Sequence, residues 1–413
     1  MNFPDIQSDK NNRRMLGKKA VILVTSSMTI MAGAIISPSL PEIQAAFQEV
    51  PNVEILTPLV LTITALFIAI FAPIAGLIID RFGRKPLLLA SLTLYGLAGS
   101  SGLYLNSIWD LIIGRVLLGT AVGGLVTCTA TLIADYFSGI ERQKFMGFRV
   151  AFINFGGVVF LVAGGFLADL SWRAPFALYL MAFIVLPCAY MWIEEPRLPG
   201  KIGRDIQKPS QAIPWSYILL LYGIGSIGWI IFYIIPVKLP FYLKEMTDAS
   251  ATQIGIATGQ WSFIGAIVAS QYQHIRKFLS YLSVFAVLFL VTGLGFGILA
   301  FADRYSVVMY AMTLCGLGFG FMMPNILIWL SELAPLHVRG RILGGSSTCN
   351  FLGQFLSPLA FQPIIATSGL GGTLGAYGIT SITAFILGLC FLVWALFFPI
   401  KTPRLKDETF ITP

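Results

Sequence analysis

Long apolar runs recur along the whole chain, separated by short polar segments, and most runs are apolar all round rather than two-faced. A helix needs about 20 such residues to cross hydrocarbon. Twelve runs reach that length, at about 20–38, 56–79, 86–104, 109–134, 146–168, 175–193, 215–236, 252–272, 279–301, 305–331, 345–366 and 374–398. The first follows Lys18 and Lys19 as a cleaved leader would, but it can cross and eleven more spans follow it, so it is expected to stay as the first helix. Lysine and arginine then mark the sides. Arg173, Lys238, Lys244 and Arg304 fall in segments joining odd to even spans, and Arg115 inside a span. The rest of the 27 basic residues lie at the two ends or in the even-to-odd segments. Both termini are expected on the cytoplasmic side of a plasma (inner) membrane.

Composition narrows the class. Of 413 residues, 56% are hydrophobic and only 11% charged, against about a quarter charged in a soluble domain. That excludes a disordered chain and a small disulfide scaffold. A net charge of +8 brings nucleic acid to mind, but the basic residues recur in short clusters instead of one patch, so no such partner is expected. The five cysteines each sit in an apolar run and read as small hydrophobes. His274 and His337 are far apart, so no metal site and no cofactor are expected, nor is an enzyme. Gly369, Gly371, Gly372 and Gly375 resemble a phosphate loop, but no strand precedes them and no Lys-Ser/Thr follows. Without a nucleotide motif, pumping has to draw on an ion gradient.

The two halves repeat each other. Gly119, Gly123, Asp135, Arg142 and Gly147 correspond to Gly316, Gly320, Glu332, Arg339 and Gly344, all at an offset of 197. One offset carrying an acid and an arginine indicates duplication of a six-helix unit. The expected organisation is all-α: a bundle over 1–193, a cytoplasmic linker over 194–213, a second bundle over 214–398 and a tail over 399–413.

Between spans two and three the chain reads Gly76-Leu-Ile-Ile-Asp80-Arg81-Phe-Gly83-Arg84-Lys85-Pro86. Asp80 sits at a helix C-terminus, which the macrodipole makes unfavourable for an anion by some tenths of a kcal/mol, so it needs a cation or a helix N-terminus. This run resembles the cytoplasmic signature of the major facilitator superfamily, and so do the twelve spans, the central linker, the duplication and Trp172-Arg173-x-x-Phe176 before span six. By that resemblance Asp80, Arg81, Arg84 and Asp135, with Arg142, form a cytoplasmic gate. Ile36-Ser37-Pro38-Ser39-Leu40-Pro41-Glu42 and Arg115-Val-Leu-Leu-Gly119 are similar to the drug/proton antiporter branch. The Gly-Pro that this branch often carries before the glycine pair in span five is absent here, where the segment reads Phe160-Leu-Val-Ala-Gly164-Gly165.

Several residues are candidates for the substrate or proton pathway. Arg115, placed well inside a span, should face a wet cavity or a partner, or else snorkel outward past Asp110. No acid lies near the middle of any span, which disfavours a strict cation pump. Span seven carries Tyr222, Trp229 and Tyr233 on one helical face, and span ten carries Met322, Asn325 and Trp329. Such stripes read as packing, interfacial belt or cavity wall; the resembled family lines its central cavity with spans one, four, seven and ten. Asn350 and Gln354 in span eleven, with Asn154 in span five and Gln260 in span eight, need polar partners, as interhelical bonds or as substrate contacts.

The expected function is secondary active transport by alternating access: proton-coupled export of a small, largely apolar compound such as a drug, secondary metabolite or siderophore. The alternative is import of an organic anion or nutrient anchored by Arg115. A small-molecule substrate, a proton gradient and the lipid bilayer are the expected partners, and the protein is expected to act as a monomer.

Overall fold

The computed structural model describes residues 5–196, 213–335, 338–367 and 372–397. Most of the expected linker, the expected tail, His337, Gly369 and Gly371 lie outside them. The described residues are nearly all helical, with no strand among them: α1 (Asp5–Ala34), α2 (Val53–Phe82), α3 (Arg84–Gly99), α4 (Ile108–Tyr136), α5 (Gly139–Leu170), α6 (Met181–Trp192), α7 (Trp215–Thr247), α8 (Ala251–Arg276), α9 (Tyr281–Ala300), α10 (Tyr305–Leu333), α11 (Arg339–Thr367) and α12 (Gly372–Phe397). Each answers to one apolar run of the sequence. Backbone polar groups have no water partner in hydrocarbon, so a spanning segment that closes its bonds internally is required.

Differences from the expected boundaries have local causes. Span one breaks at Ser37–Ser39, where Pro38 turns the chain into 3-10 geometry before a short helix over Leu40–Ala46. Span six opens as a 3-10 segment, Ala174–Leu180, with Pro175 in its first turn. α7 runs eleven residues past the expected end at 236, straight through Pro236 and Pro240, so Lys238 and Lys244 lie on a helix rather than in a loop. Pro240 has no N–H and cannot bond the carbonyl four residues back. That carbonyl, on Pro236, instead accepts from the Ser37 hydroxyl at 2.6 Å.

Ten of the described helical segments are long and apolar enough to cross a membrane. α8 and α11 are rich in amides and hydroxyls, and they pack across the two halves, against α5 and α2 respectively. Buried hydrophobic residues form two clusters. One runs from Val21 to Ile193 with Val237 added, the other from Ile218 to Phe391.

The 197-residue repeat is visible in the contacts. A Cβ on Gly119 would stand 2.5 Å from the Thr64 carbonyl, and one on Gly316 would stand 2.7 Å from that of Trp261, so both members of each contact are shifted by 197. Only glycine lets α4 lie on α2, and α10 on α8, this closely. Gly119→Leu or Gly316→Leu is expected to lower the thermal unfolding midpoint of the purified protein, at an overpacking cost of about 1–3 kcal/mol. Gly147→Leu, where nothing lies within 4 Å of the added Cβ, should not lower it.

Candidate functional site

With the helices antiparallel, one end of the molecule holds the start of α1, the α2–α3 turn and the junction between α6 and α7; call it the linker end. At the far end the two halves are bonded together. α8 begins there with a capping box: Ser250 Oγ accepts from Gln253 N, and Gln253 Oε1 accepts from Ser250 N. The next two amides, Ala251 N and Thr252 N, donate to the Asp169 carboxylate of α5 at 2.6 and 3.1 Å, and Thr252 Oγ1 adds a third bond. The opening turn of α8 is thus fully satisfied, half of it by the other bundle. With the Ser37–Pro236 bond, these are all the hydrogen bonds that join the halves among the described residues.

The same helix pair measures how the halves separate. Near the far end a Cβ on Gly165 would collide with the Ala251 carbonyl, and one on Gly255 would lie 2.6 Å from that of Leu161. Further along, Gly259 clears Val162 at 3.3 Å and Gly157 clears Ser262 at 3.5 Å. At Gly147, nearest the linker end, nothing lies within 4 Å, and the same holds for Gly76, Gly223 and Gly344. The halves therefore diverge toward the linker end.

The residues expected to form the gate divide into two groups. Arg84 is buried and donates from Nε to Asp135 Oδ2 at 2.9 Å. Glu195 caps α3, accepting from Arg84 N at 2.7 Å and Lys85 N at 2.8 Å. Gly83, at φ +92°, makes the turn, and a side chain there would displace the Glu195 carboxylate. Next to it Lys18 donates to Glu194 at 2.9 Å and holds that carboxyl below the usual range. Arg142 closes the α4–α5 turn onto the Phe137 and Ala134 carbonyls. Asp80 and Arg81 are exposed, and Asp80 has no hydrogen bond or ion pair among the described residues.

In the second half, Tyr281 stands 197 after Arg84 and donates to Glu332 Oε1 at 2.6 Å, as Arg84 does to Asp135. Asn325, the counterpart of Cys128, donates to the Tyr281 carbonyl at 3.1 Å and accepts from Tyr272 at 2.6 Å. Trp329 stacks on Tyr281 at 5.0 Å, and Arg276 covers the other reach of the ring at 3.8 Å. Motif matching could not find this cluster, because a phenol replaces the guanidinium.

Arg115 is fully buried, neither snorkelling outward nor lining the divergence. Its Nη1 donates to Tyr179 Oη at 3.0 Å, and the rings of Phe176 and Tyr179 lie 4.6 and 5.0 Å from the guanidinium carbon. Its Nε and Nη2 have no partner. Gln260 ties α8 to Met309 and Thr313 of α10, Met322 packs on Gly228, and Tyr222 donates to the Ile342 carbonyl at 2.5 Å. Free hydrogen-bonding capacity remains at Asn154, at Gln354 and at Asn350 Oδ1. Trp229 packs edge-on against Tyr233 and Phe319, 6.2 and 5.5 Å between centroids. One residue that sequence reasoning missed is Arg149, counted with the topological charges. It lies ten residues inside α5 and bonds Ser26 of α1 and Thr129 of α4.

The family model for the Major Facilitator Superfamily matches residues 22–358. The chain belongs to the Major Facilitator Superfamily. It is a multi-pass membrane transporter. It is 26% identical over 300 residues to the quinolone resistance protein NorA of Staphylococcus aureus (strain MSSA476), covering 70% of this chain and 76% of that one. It is 26% identical over 377 residues to the class G tetracycline resistance protein of Vibrio anguillarum, covering 86% and 92%. In fold it is similar to a D-xylose-proton symporter, at TM-score 0.75 and 17% identity, over 91% of this chain and 97% of that one.

Loss of the far-end latch is the direct test of this geometry. Asp169→Ala is expected to weaken the closed far end by about 1 kcal/mol, a roughly fivefold shift in population. Spin labels on the far ends of α5 and α8 should then report a larger long-distance component than in wild type.

Proposed function

We propose that this transporter exports small, largely apolar compounds by alternating access, with the linker end on the cytoplasmic side and protons entering as substrate leaves. The observation that carries the alternating-access reading is the polarity of the interface: among the described residues, every hydrogen bond between the halves is at the far end, and the linker end is apart. Similarity to two drug-resistance proteins supports the export direction.

In the opposite state the linker end closes and the far-end bonds break. Asp80, exposed and without a partner here, then meets donors on the second half, while Arg84–Asp135 and Glu195 keep the α2–α3 turn in shape for that contact. Asn154, Gln354, Asn350 and the Trp229–Tyr233 pair supply a few polar contacts and an apolar wall for the substrate. Import of an organic anion on Arg115 has less support, since the aromatic rings around Arg115 enclose it in this state.

Inside-out vesicles with an acidic interior and a pH-sensitive dye test direction and coupling together. Addition of substrate should release protons, and Asp80→Asn should slow that release about tenfold, about 1.4 kcal/mol of barrier. Uptake that ignores the proton gradient overturns the coupling. Reporter fusions that place the start of α1 outside the cell overturn the orientation.

A further inference from the structure

We propose that Arg149 is the anchor for a carboxylate on the substrate, so that the transported compounds are amphiphilic organic anions with an apolar body. This deepens the transport reading above and rests on it. The guanidinium sits where three helices of the first half meet. Nε donates to Ser26 Oγ at 3.2 Å and one terminal nitrogen, Nη2, to Thr129 Oγ1 at 3.3 Å. Both acceptors are neutral hydroxyls already committed as donors to carbonyls of their own helices, Ser26 to Ile22 and Thr129 to Leu125. No carboxylate lies within ion-pair distance of Arg149 among the described residues.

A cation at this depth is expensive unless an anion meets it, and hydroxyls supply dipoles but no counter-charge. Elsewhere the first half does pair its buried cation: Arg84 has Asp135. Arg115 is the other exception, but it is sealed, with two nitrogens enclosed and without partners. Arg149 differs in that its Nη1 has no partner and is not sealed: the side chain is only partly buried, at the end where the halves diverge. The two held nitrogens fix the plane of the guanidinium, which leaves a preset edge for a planar carboxylate. The second half has no acid near the middle of a span to repel an anion.

Three matched probes separate charge from bulk: 1-pyrenebutyrate, 1-pyrenebutanol and 1-pyrenebutylamine. Binding to the full-length protein in nanodiscs is read by tryptophan-to-pyrene energy transfer, with empty nanodiscs subtracted. Wild type should bind the butyrate about tenfold more tightly than the alcohol or the amine, and Arg149→Gln should erase that preference while the alcohol's affinity stays within about twofold. Equal binding of all three by wild type, preference for the amine, or an anion preference that survives in Arg149→Gln overturns the proposal. A second readout needs no variant. Pyrenebutyrate should protect Arg149 from phenylglyoxal, followed by mass spectrometry, and pyrenebutanol should not; equal labelling with and without the anion overturns it. Proton release in the vesicle assay is independent of these results, so a failure of coupling leaves the anion site standing and the reverse also holds.

Discussion

A carboxylate at the C-terminal end of a helix faces the negative pole of the backbone dipole, an unfavourable position by roughly 0.3–1 kcal/mol. This chain places five there: Asp80 on α2, Asp135 on α4, Asp169 on α5, Glu245 on α7 and Glu332 on α10. Each has to find donors on another element, and the donors it finds hold the architecture. Asp135 takes Arg84 and fixes α3 beside α4. Glu332 takes the Tyr281 hydroxyl and does the same for α9 and α10. Asp169 takes the first amides of α8, and so a contact of this kind joins the two halves. Among the described residues Asp80 and Glu245 have none, and Asp80 stands at the end where the halves are apart.

The duplication preserved positions more faithfully than chemistry. The Arg84–Asp135 and Tyr281–Glu332 bonds span the same 51 residues, and Cys128 and Asn325 each donate to the backbone 44 residues earlier. Arginine brings charge and five donors to its acid; tyrosine brings one neutral donor and a flat face on which Trp329 stacks. The second half therefore holds its turn by packing where the first holds it by charge. At the linker end it exposes Lys277 and Arg341, cations that suit an approaching Asp80.

The helices and the family were legible in the sequence because hydrocarbon imposes one rule on every span, and Asp80-Arg81-Phe-Gly83-Arg84-Lys85 is a dense local signal. Side-chain partners across the fold were not. Asn325 and Gln260 have the same pattern of spacing as Asn154 and Gln354, yet the first two are committed to interhelical bonds and the others are not. Whether an amide in a span is structural or free depends on what the neighbouring helix places opposite it, and periodicity carries no such information. Arg149 was hidden for a related reason. Counting charge by loop assigns a residue near a span boundary to the loop, while the helix here begins ten residues earlier, at Gly139. Glu195 looked like linker and proved to be the cap of α3, since a cap supplied from 110 residues away has no sequence signature.

The two ends of the interface are built from unlike materials, and that asymmetry bears on how the molecule can move. At the far end, glycines at 165 and 255 let backbones touch, so the fit is exact in shape and a small rotation breaks many contacts at once. Asp169 adds a bond there that is exposed to the far side. At the linker end the first half presents an exposed acid and the second half the exposed Lys277 and Arg341, an attraction that tolerates poor fit and acts over several ångströms. A tight, directional contact opposed by a loose, long-ranged one is the pairing that the proposed alternation between two states of similar energy requires. Occupancy of Arg149 by an anion would act on the same balance, because it ties together α1, α4 and α5, and α5 and the Ser37–Ser39 turn that follows α1 carry the first half's side of the far-end seal.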